Sequence, residues 1–280
     1  EFHWKHRYPI ATYLVAFAVT NYEVHTFDID LANGPLPIVN YLYPQDFERH
    51  SEQIESILPE MMHLYEELFI PYPFDKEKYG HAQCGFGGGM EHQTMSFMGG
   101  FSYELTAHEL AHQWFGDYVT CGSWQDVWLN EGFATYLTGL TYEKILKNGR
   151  WENYLSSSIM KITSQPDGTL AVSDTTDFRR IFSSRLSYDK GAMVLHMLRW
   201  ILGDEIFFEG IRQYLRDDNL RYAFSRTKNF KNHLERVSGH DLTYFFEDWF
   251  EGEVDDIPDP LTIEFTIAVK KNGEPGKIDV

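Results

Sequence analysis

Long apolar runs are missing from this 280-residue chain. Its most apolar stretch, Tyr13 to Val19, is only strand-length, well short of the roughly 18 consecutive apolar residues that a membrane helix needs. No membrane span is therefore expected. Basic residues are scarce, 24 Lys and Arg against 42 Asp and Glu, and the formal charge of -18 repels phosphate backbones and anionic lipid heads. That balance argues against nucleic acid as a partner, and its simplest meaning is a well-solvated surface. Cysteine is rarer still: Cys84 and Cys121 are too few to staple a chain of this length, and their spacing leaves their pairing open. No internal repeat is found, and no basic, apolar leader follows Glu1, so any targeting peptide is expected to have been removed or to lie outside this sequence. What is present is 43% apolar residues, enough for one large core or for one core with fragments of its neighbours.

Chemistry concentrates in His108-Glu109-Leu110-Ala111-His112. On an α-helix positions i and i+4 share a face, so both imidazoles can reach one metal ion while Glu109 between them holds a water beside it. This spacing is that of a zinc hydrolase. A catalytic zinc takes three protein groups and keeps a fourth position open, so one ligand has to come from elsewhere. Glu131, nineteen residues beyond His112, is the candidate; the chain from Asn130 to Leu146 reads as a helix that can lie antiparallel to the first. A bare His-Glu-x-x-His also arises by chance on amphipathic helices, so the flanking residues have to decide.

Those flanks, His108 to Ala134, read HELAHQWFGDYVTCGSWQDVWLNEGFA and resemble the gluzincin aminopeptidases of the aminopeptidase N and leukotriene hydrolase type. The resemblance implies one zinc ion bound by His108, His112 and Glu131, with Glu109 as general base. A second stretch, Gly85-Phe86-Gly87-Gly88-Gly89-Met90-Glu91-His92, carries glycines of the kind that let another backbone approach a strand. Alone it reads as a loop. It is similar to the family's Gly-x-Met-Glu-Asn, which implies that Glu91 binds the free α-ammonium group of a peptide and that the strand of Gly88, Gly89 and Met90 pairs with the peptide backbone. Tyr188-Asp189-Lys190-Gly191-Ala192 resembles the family's Tyr-x-x-Gly-Ala, which implies that Tyr188 donates a hydrogen bond to the oxyanion.

Three positions depart from the family pattern. His92 replaces asparagine and reads as a packing or hydrogen-bonding residue; Asp117 stands where asparagine is commoner; Thr138 stands where many members place a glutamate seven residues after the metal-binding one. Zinc-bound imidazoles pass their other N–H to a carboxylate or carbonyl. Asp126 is a candidate for that role, although an acid just before a helix is more often a cap.

The remaining pattern is mostly helical, with helices expected at Ser51–Phe69, Trp151–Thr163, Tyr188–Leu202, Asp204–Arg216, Arg226–Val237 and Thr243–Glu251. Pro9 to Val24 reads as strand and Asn33-Gly34-Pro35-Leu36-Pro37 as a turn-rich break. Pro258 to Pro260 breaks the helical run, and Leu261 to Val269 alternates like a strand. With the resemblance, these imply a thermolysin-like α+β catalytic domain over residues 28–257, a small mixed sheet with an exposed edge strand beside a mainly helical lobe. Residues 1–27 are then the end of a largely missing N-terminal β-sandwich, and 258–280 a linker with the first strand of a truncated domain. The expected partners are a peptide with a free N-terminus and the remaining domains of a longer chain. An endopeptidase with the same zinc site, which Glu91 argues against, epoxide hydrolysis of the leukotriene-hydrolase type and a non-catalytic binding domain on the same fold are the alternative readings.

Overall fold

The computed structural model describes residues 3, 5–253, 269–271 and 274–276. Its fold is α+β: a mixed sheet backed by a lobe of helices, as the sequence pattern predicts. Strands β1 (Glu23–Leu31) and β2 (Gly34–Leu42) form an antiparallel hairpin that turns at Ala32-Asn33, with Gly34 opening β2 at φ +110°. The expected break at Pro35 and Pro37 is thus a strand. Both prolines lie outside the stretch Ile38–Tyr41 that β3 (Tyr79–Gln83) pairs, so their missing N–H leaves no gap on that side. Strands β4 (Gly89–Met90) and β5 (Ser96–Met98) complete the sheet in the order β1-β2-β3-β5-β4, which makes β4 an edge.

Helix α1 (Phe47–Leu68) covers the sheet with Ile54, Leu58, Met61, Met62 and Tyr65, all fully buried at helical spacing. Helix α2 (Tyr103–Ala111) is capped by Ser102, whose hydroxyl accepts from Leu105 N, and α3 (Trp128–Thr141) packs against it. Short strands β6 (Val119–Cys121) and β7 (Ala223–Ser225) pair in parallel. The lobe continues through α4 (Arg150–Ile162), α5 (Phe178–Ile181), α6 (Gly191–Leu202), α7 (Asp204–Leu215), α8 (Thr227–Ser238) and α9 (Thr243–Phe246). The core joins the two halves through large buried rings: Trp114 donates its Nε1 proton to the Ile70 carbonyl at 2.9 Å, and Phe115 stacks on Phe133 at 4.0 Å. No described helix is long and apolar enough to cross a membrane.

The strand expected over Pro9–Val24 is not formed. Only Glu23 and Val24 are strand, within β1; Thr12–Leu14 is a single 3-10 turn. β-propensity alone cannot make a strand without a neighbour to pair with, and Val15, Phe17 and Val19 are left 65–90% exposed. Residues 6 to 14 instead lie against the loops that follow β4 and α2, tied down by side-chain bonds from Gln93 to Pro9 O and from Tyr13 to Gly116 O. The expected strand at Leu261–Val269 and the break at Pro258–Pro260 fall outside the described residues except for Val269. Val269–Lys271 pairs antiparallel with Glu274–Gly276.

Candidate active site

Helix α2 ends where the chemistry begins. His108 lies in its last turn and His112 caps it with helical φ/ψ, so the i, i+4 relation survives to the end of the helix. His112 Nδ1 lies 2.9 Å from the Phe115 carbonyl and donates to it, leaving the Nε2 lone pair facing the site. That carbonyl, and not Asp126, is the partner of this imidazole. His108 Nε2 is 3.1 Å from His112 Nε2 and 3.2 Å from Glu131 Oε2, and His112 Nε2 is 3.4 Å from the same oxygen. Three donors held by bonds of about 2.0–2.1 Å to a tetrahedral zinc stand about 3.3 Å apart, so this triangle has the size zinc requires. His108, His112 and Glu131 therefore fit a zinc ion in both donor type and spacing.

The charges around the triangle point the same way. Glu91, Glu109 and Glu131 are all at most 7% exposed, and Glu109 Oε2 is buried with no hydrogen-bond partner. Burial pushes the Glu91 carboxyl above its usual range and Glu109 well above it; in both cases the neighbouring carboxylates add to the rise and His112 opposes it. Burial alone would lower His112, but Glu91, Glu131 and Glu109 outweigh it and raise it strongly. Glu131 goes the other way: His112 and His108 overcome its desolvation and hold it at about 2. The cleft of about 740 Å³ around these groups is lined by four glutamates and, among the described residues, by no lysine or arginine. Such a site favours positive charge in whatever binds there.

Two glycine contacts set the geometry. A Cβ at Gly89 would lie 2.5 Å from Glu109 Cδ and Oε1, so the edge strand β4 can run this close to the base only without a side chain. Across the cleft, a Cβ on either Gly132 or Gly191 would meet the other residue's Cα at 3.0 Å. This bare crossing sets the turn carrying Glu131 against the turn carrying Tyr188. Tyr188 itself sits in a π-helical stretch, Ser184–Lys190, and its ring lies nearly parallel to that of His108 with centroids 5.8 Å apart. Burial, then the charges of Glu131 and Glu91, push its phenol far above the usual range, so it keeps its proton and remains a donor.

The residues given metal, base, oxyanion or substrate roles in the sequence thus meet in one cleft: His108, Glu109, His112, Glu131, Tyr188, Gly88, Gly89, Met90 and Glu91. His92 stands apart, its Nδ1 3.0 Å from the Leu14 carbonyl and its ring edge-on to Phe97. Asp126 serves another element: it accepts from Thr227 N at 2.9 Å, from Thr227 Oγ1 at 2.8 Å and from Arg226 at 2.9 Å, clamping the start of α8. Asp117 is buried against Gln113 Nε2 at 2.7 Å, and burial together with Glu91 raises it well above its usual range. Thr138 returns its hydroxyl to the Ala134 carbonyl. Sequence reasoning missed Gln113, whose Oε1 accepts from Thr94 N at 2.8 Å and ties the loop after Glu91 to the residue after His112. It also missed Asn130, which bonds Cys121 N through Oδ1 and Tyr13 through Nδ2, and the cleft-lining Tyr13, Trp124, Phe178 and Phe182. No local signal marks these residues, since each acts through a neighbour distant in sequence.

Comparison with known proteins agrees with this geometry. The peptidase family M1 domain matches residues 101–249, just over half of the chain. Aminopeptidase 2, mitochondrial, of Saccharomyces cerevisiae is 28% identical over 265 residues, covering 86% of this chain and 27% of the yeast protein. Human endoplasmic reticulum aminopeptidase 1 is 29% identical over 253 residues, covering 82% of this chain and 26% of that protein. The crystal structure of an M1 zinc metallopeptidase from Deinococcus radiodurans superimposes with a TM-score of 0.75 at 26% identity, over 91% of this chain and 56% of that one. The chain thus spans less than a third of these two curated relatives and just over half of the solved enzyme.

Proposed function

Because this chain belongs to peptidase family M1, we propose that it is the catalytic part of a zinc-dependent aminopeptidase that removes the first residue of peptides with a free amino terminus. One observation carries the reading: a triangle of metal donors of zinc dimensions stands beside two further buried carboxylates, Glu109 and Glu91, which lie within 4.8 Å of each other and of His112. We assign residues 28–257 to the catalytic domain, although its sheet already begins at Glu23; residues 1–27 then end a preceding domain and 258–280 begin a following one.

In this reading His108, His112 and Glu131 hold the zinc, which when bound supplies Lewis acidity toward water and the scissile carbonyl. Glu91 takes the substrate's α-ammonium group, and that pairing fixes the first peptide bond at the metal. Edge strand β4 offers its backbone at Gly89 and Met90, with Gly88 in the bend just before it, to an extended peptide. Glu109 takes a proton from the attacking water and returns it to the leaving amine; its raised affinity for protons suits both steps. Tyr188, kept protonated, donates to the carbonyl oxygen as negative charge builds there. A form of the Deinococcus enzyme has been solved with a Tyr-Ser-Ala substrate, and a tripeptide is the kind of ligand proposed here.

The test uses the zinc-loaded protein with one peptide in two forms, amine free and N-acetylated. Truncating one partner of a buried charge pair costs about 2–5 kcal/mol, so acetylation is expected to lower kcat/KM by at least about 30-fold. Glu109→Gln is expected to keep the metal and lose hydrolysis by about 100-fold or more. Equal cleavage of the two forms would remove the ammonium anchor, and turnover by Glu109→Gln near that of the parent would give the role of base to another group.

A further inference from the structure

Beyond the metal, the cleft has two ends of different character. Along α2, the face that carries His112 and His108 continues one turn back to Glu104; along α3, the face that carries Glu131 continues to Thr138 and Tyr142. That end mixes the carboxylate of Glu104 and the hydroxyls of Thr138, Tyr142 and Tyr154 with Leu105, and it lies a turn or more along the helices from the donors beside Glu91. The opposite end holds Glu91, within 4.8 Å of His112 and Glu109, and there the lining turns aromatic. Tyr13, Trp124, Phe182 and Phe178 form one unbroken chain of rings: Tyr13 to Trp124 at 5.9 Å, Trp124 to Phe182 at 5.7 Å and Phe182 to Phe178 at 4.8 Å, with Val127 beside them.

The inner part of this wall is held from behind. Tyr13 bonds Gly116 O at 3.1 Å and Thr120 Oγ1 at 3.0 Å and accepts from Asn130 at 3.2 Å, while the neighbouring Leu14 carbonyl is held by His92, the residue after Glu91. Trp124 stands on the turn that Asp126 clamps to α8. Phe182 packs on Val127, Val172 and Ile181, a small apolar cluster separate from the main core. Only the far end is open: Trp124 is 37% and Phe178 71% exposed, a large apolar surface turned toward the cleft. Exposed aromatic surface at the end of a built site calls for an apolar occupant.

We propose that this aromatic wall receives the side chain of the substrate's first residue and that the site prefers a large aromatic one there. The assignment rests on the aminopeptidase reading, because it takes Glu91 as the anchor of the amino group from which that side chain projects. A lysine or arginine head at this end would find no carboxylate of its own, since Glu91 is taken, Glu109 and Glu131 face the reacting centre and Glu104 lies at the other end. An acidic first residue would meet the four glutamates of the lining and, among the described residues, no lysine or arginine to receive it. An alanine would leave the rings wet. Burying an aromatic side chain in place of a methyl is expected to favour phenylalanine over alanine by about tenfold or more.

The experiment measures kcat/KM on Phe, Ala, Arg and Asp aminoacyl reporter amides for the zinc-loaded protein, Trp124→Ala and Phe178→Ala. Phe178 is exposed on a four-residue helix, so its replacement tests the wall without endangering the fold. Calorimetry on zinc-loaded Glu109→Gln with Phe-Ser-Ala and Ala-Ser-Ala supplies a readout that needs no turnover. The expected result is a preference of at least about tenfold for Phe over Ala, Arg and Asp in both assays, with the Phe-to-Ala ratio falling at least about threefold in each wall variant. If no amide is cleaved but Phe-Ser-Ala still binds about tenfold tighter, the hydrolytic reading fails and the wall's preference stands. Equal binding of the two peptides, a preference for Ala, Arg or Asp, or a ratio unchanged in both variants would overturn the proposal.

Discussion

A single methyl group at Gly89 should separate metal binding from catalysis. The built Cβ lies 2.5 Å from Glu109 Cδ and Oε1 and 2.7 Å from Cγ, whereas ordinary contact starts at 3.4 Å, so strand and carboxylate must part by about 0.9 Å in Gly89→Ala. The Glu109 backbone is fixed by the core residues that follow it in the helix, so the carboxylate can give way only by swinging into the cleft it lines, away from its place beside the metal donors. A misplacement of about 1 Å in a reacting group costs about 100-fold in rate, or about 2.7 kcal/mol of transition-state stabilisation. The ligand triangle is untouched, so zinc content should stay at one per chain. The assay is kcat/KM on a free-amine peptide, with zinc measured by elemental analysis and folding by thermal melting. Gly85→Ala, where a Cβ meets nothing within 4 Å, is the control and should stay within about twofold. Activity of Gly89→Ala within about threefold of the parent at equal zinc content would refute the reasoning, because the base would then tolerate a displacement the argument forbids.

The other expectations follow from burial and bonding. Glu131→Ala should bring the zinc content of protein dialysed against a mild chelator close to zero, since two imidazoles alone cannot complete the site; retention of one zinc per chain would show another third ligand. His81 is fully buried, its Nδ1 2.7 Å from Asn40 Oδ1, and burial lowers its pKa to about 3. Between pH 6.5 and about 3 the unfolded chain therefore binds a proton at this position that the folded chain does not, so stability falls as pH falls, by about 1.4 kcal/mol per pH unit from this group. Urea unfolding at pH 6.5, 5.5 and 4.5 should show a shallower dependence in His81→Gln, and identical slopes would argue against a neutral buried imidazole. Asp126→Ala should cost about 2–3 kcal/mol by leaving the Thr227 N–H and hydroxyl unpaired in the interior. Thermal melting would show that as a fall of several degrees in Tm, and an unchanged Tm would mean that α8 needs no clamp.

Which parts of this protein were legible in the sequence depends on how far the deciding interaction reaches along the chain. The pairing of His108 with His112 needs only the helical period, and the helices from Arg150 to Phe246, except the four-residue α5 that the pattern does not announce, follow from apolar spacing and stop signals to within a few residues. The nineteen-residue gap to Glu131 and the remote Glu91 and Tyr188 carry no period of their own. Glu131 is a candidate simply as the missing third ligand, but its role and those of Glu91 and Tyr188 rest on motifs that resemble a family; the tertiary structure shows the three converging in one cleft. The segment Pro9–Val24 has the composition of a strand and is not one, because a strand is a relation between two chains of backbone and no described segment pairs with it there. Asp126 reads locally as a cap and proves to cap a helix about a hundred residues away. The glycine contacts at Gly89 and at Gly132 with Gly191, and the row of rings from Tyr13 to Phe178, exist only once separate elements are brought to within van der Waals reach. Local periodicity therefore determined which residues could share a face, while packing between distant segments decided how closely the base, the metal donors and the substrate walls approach one another.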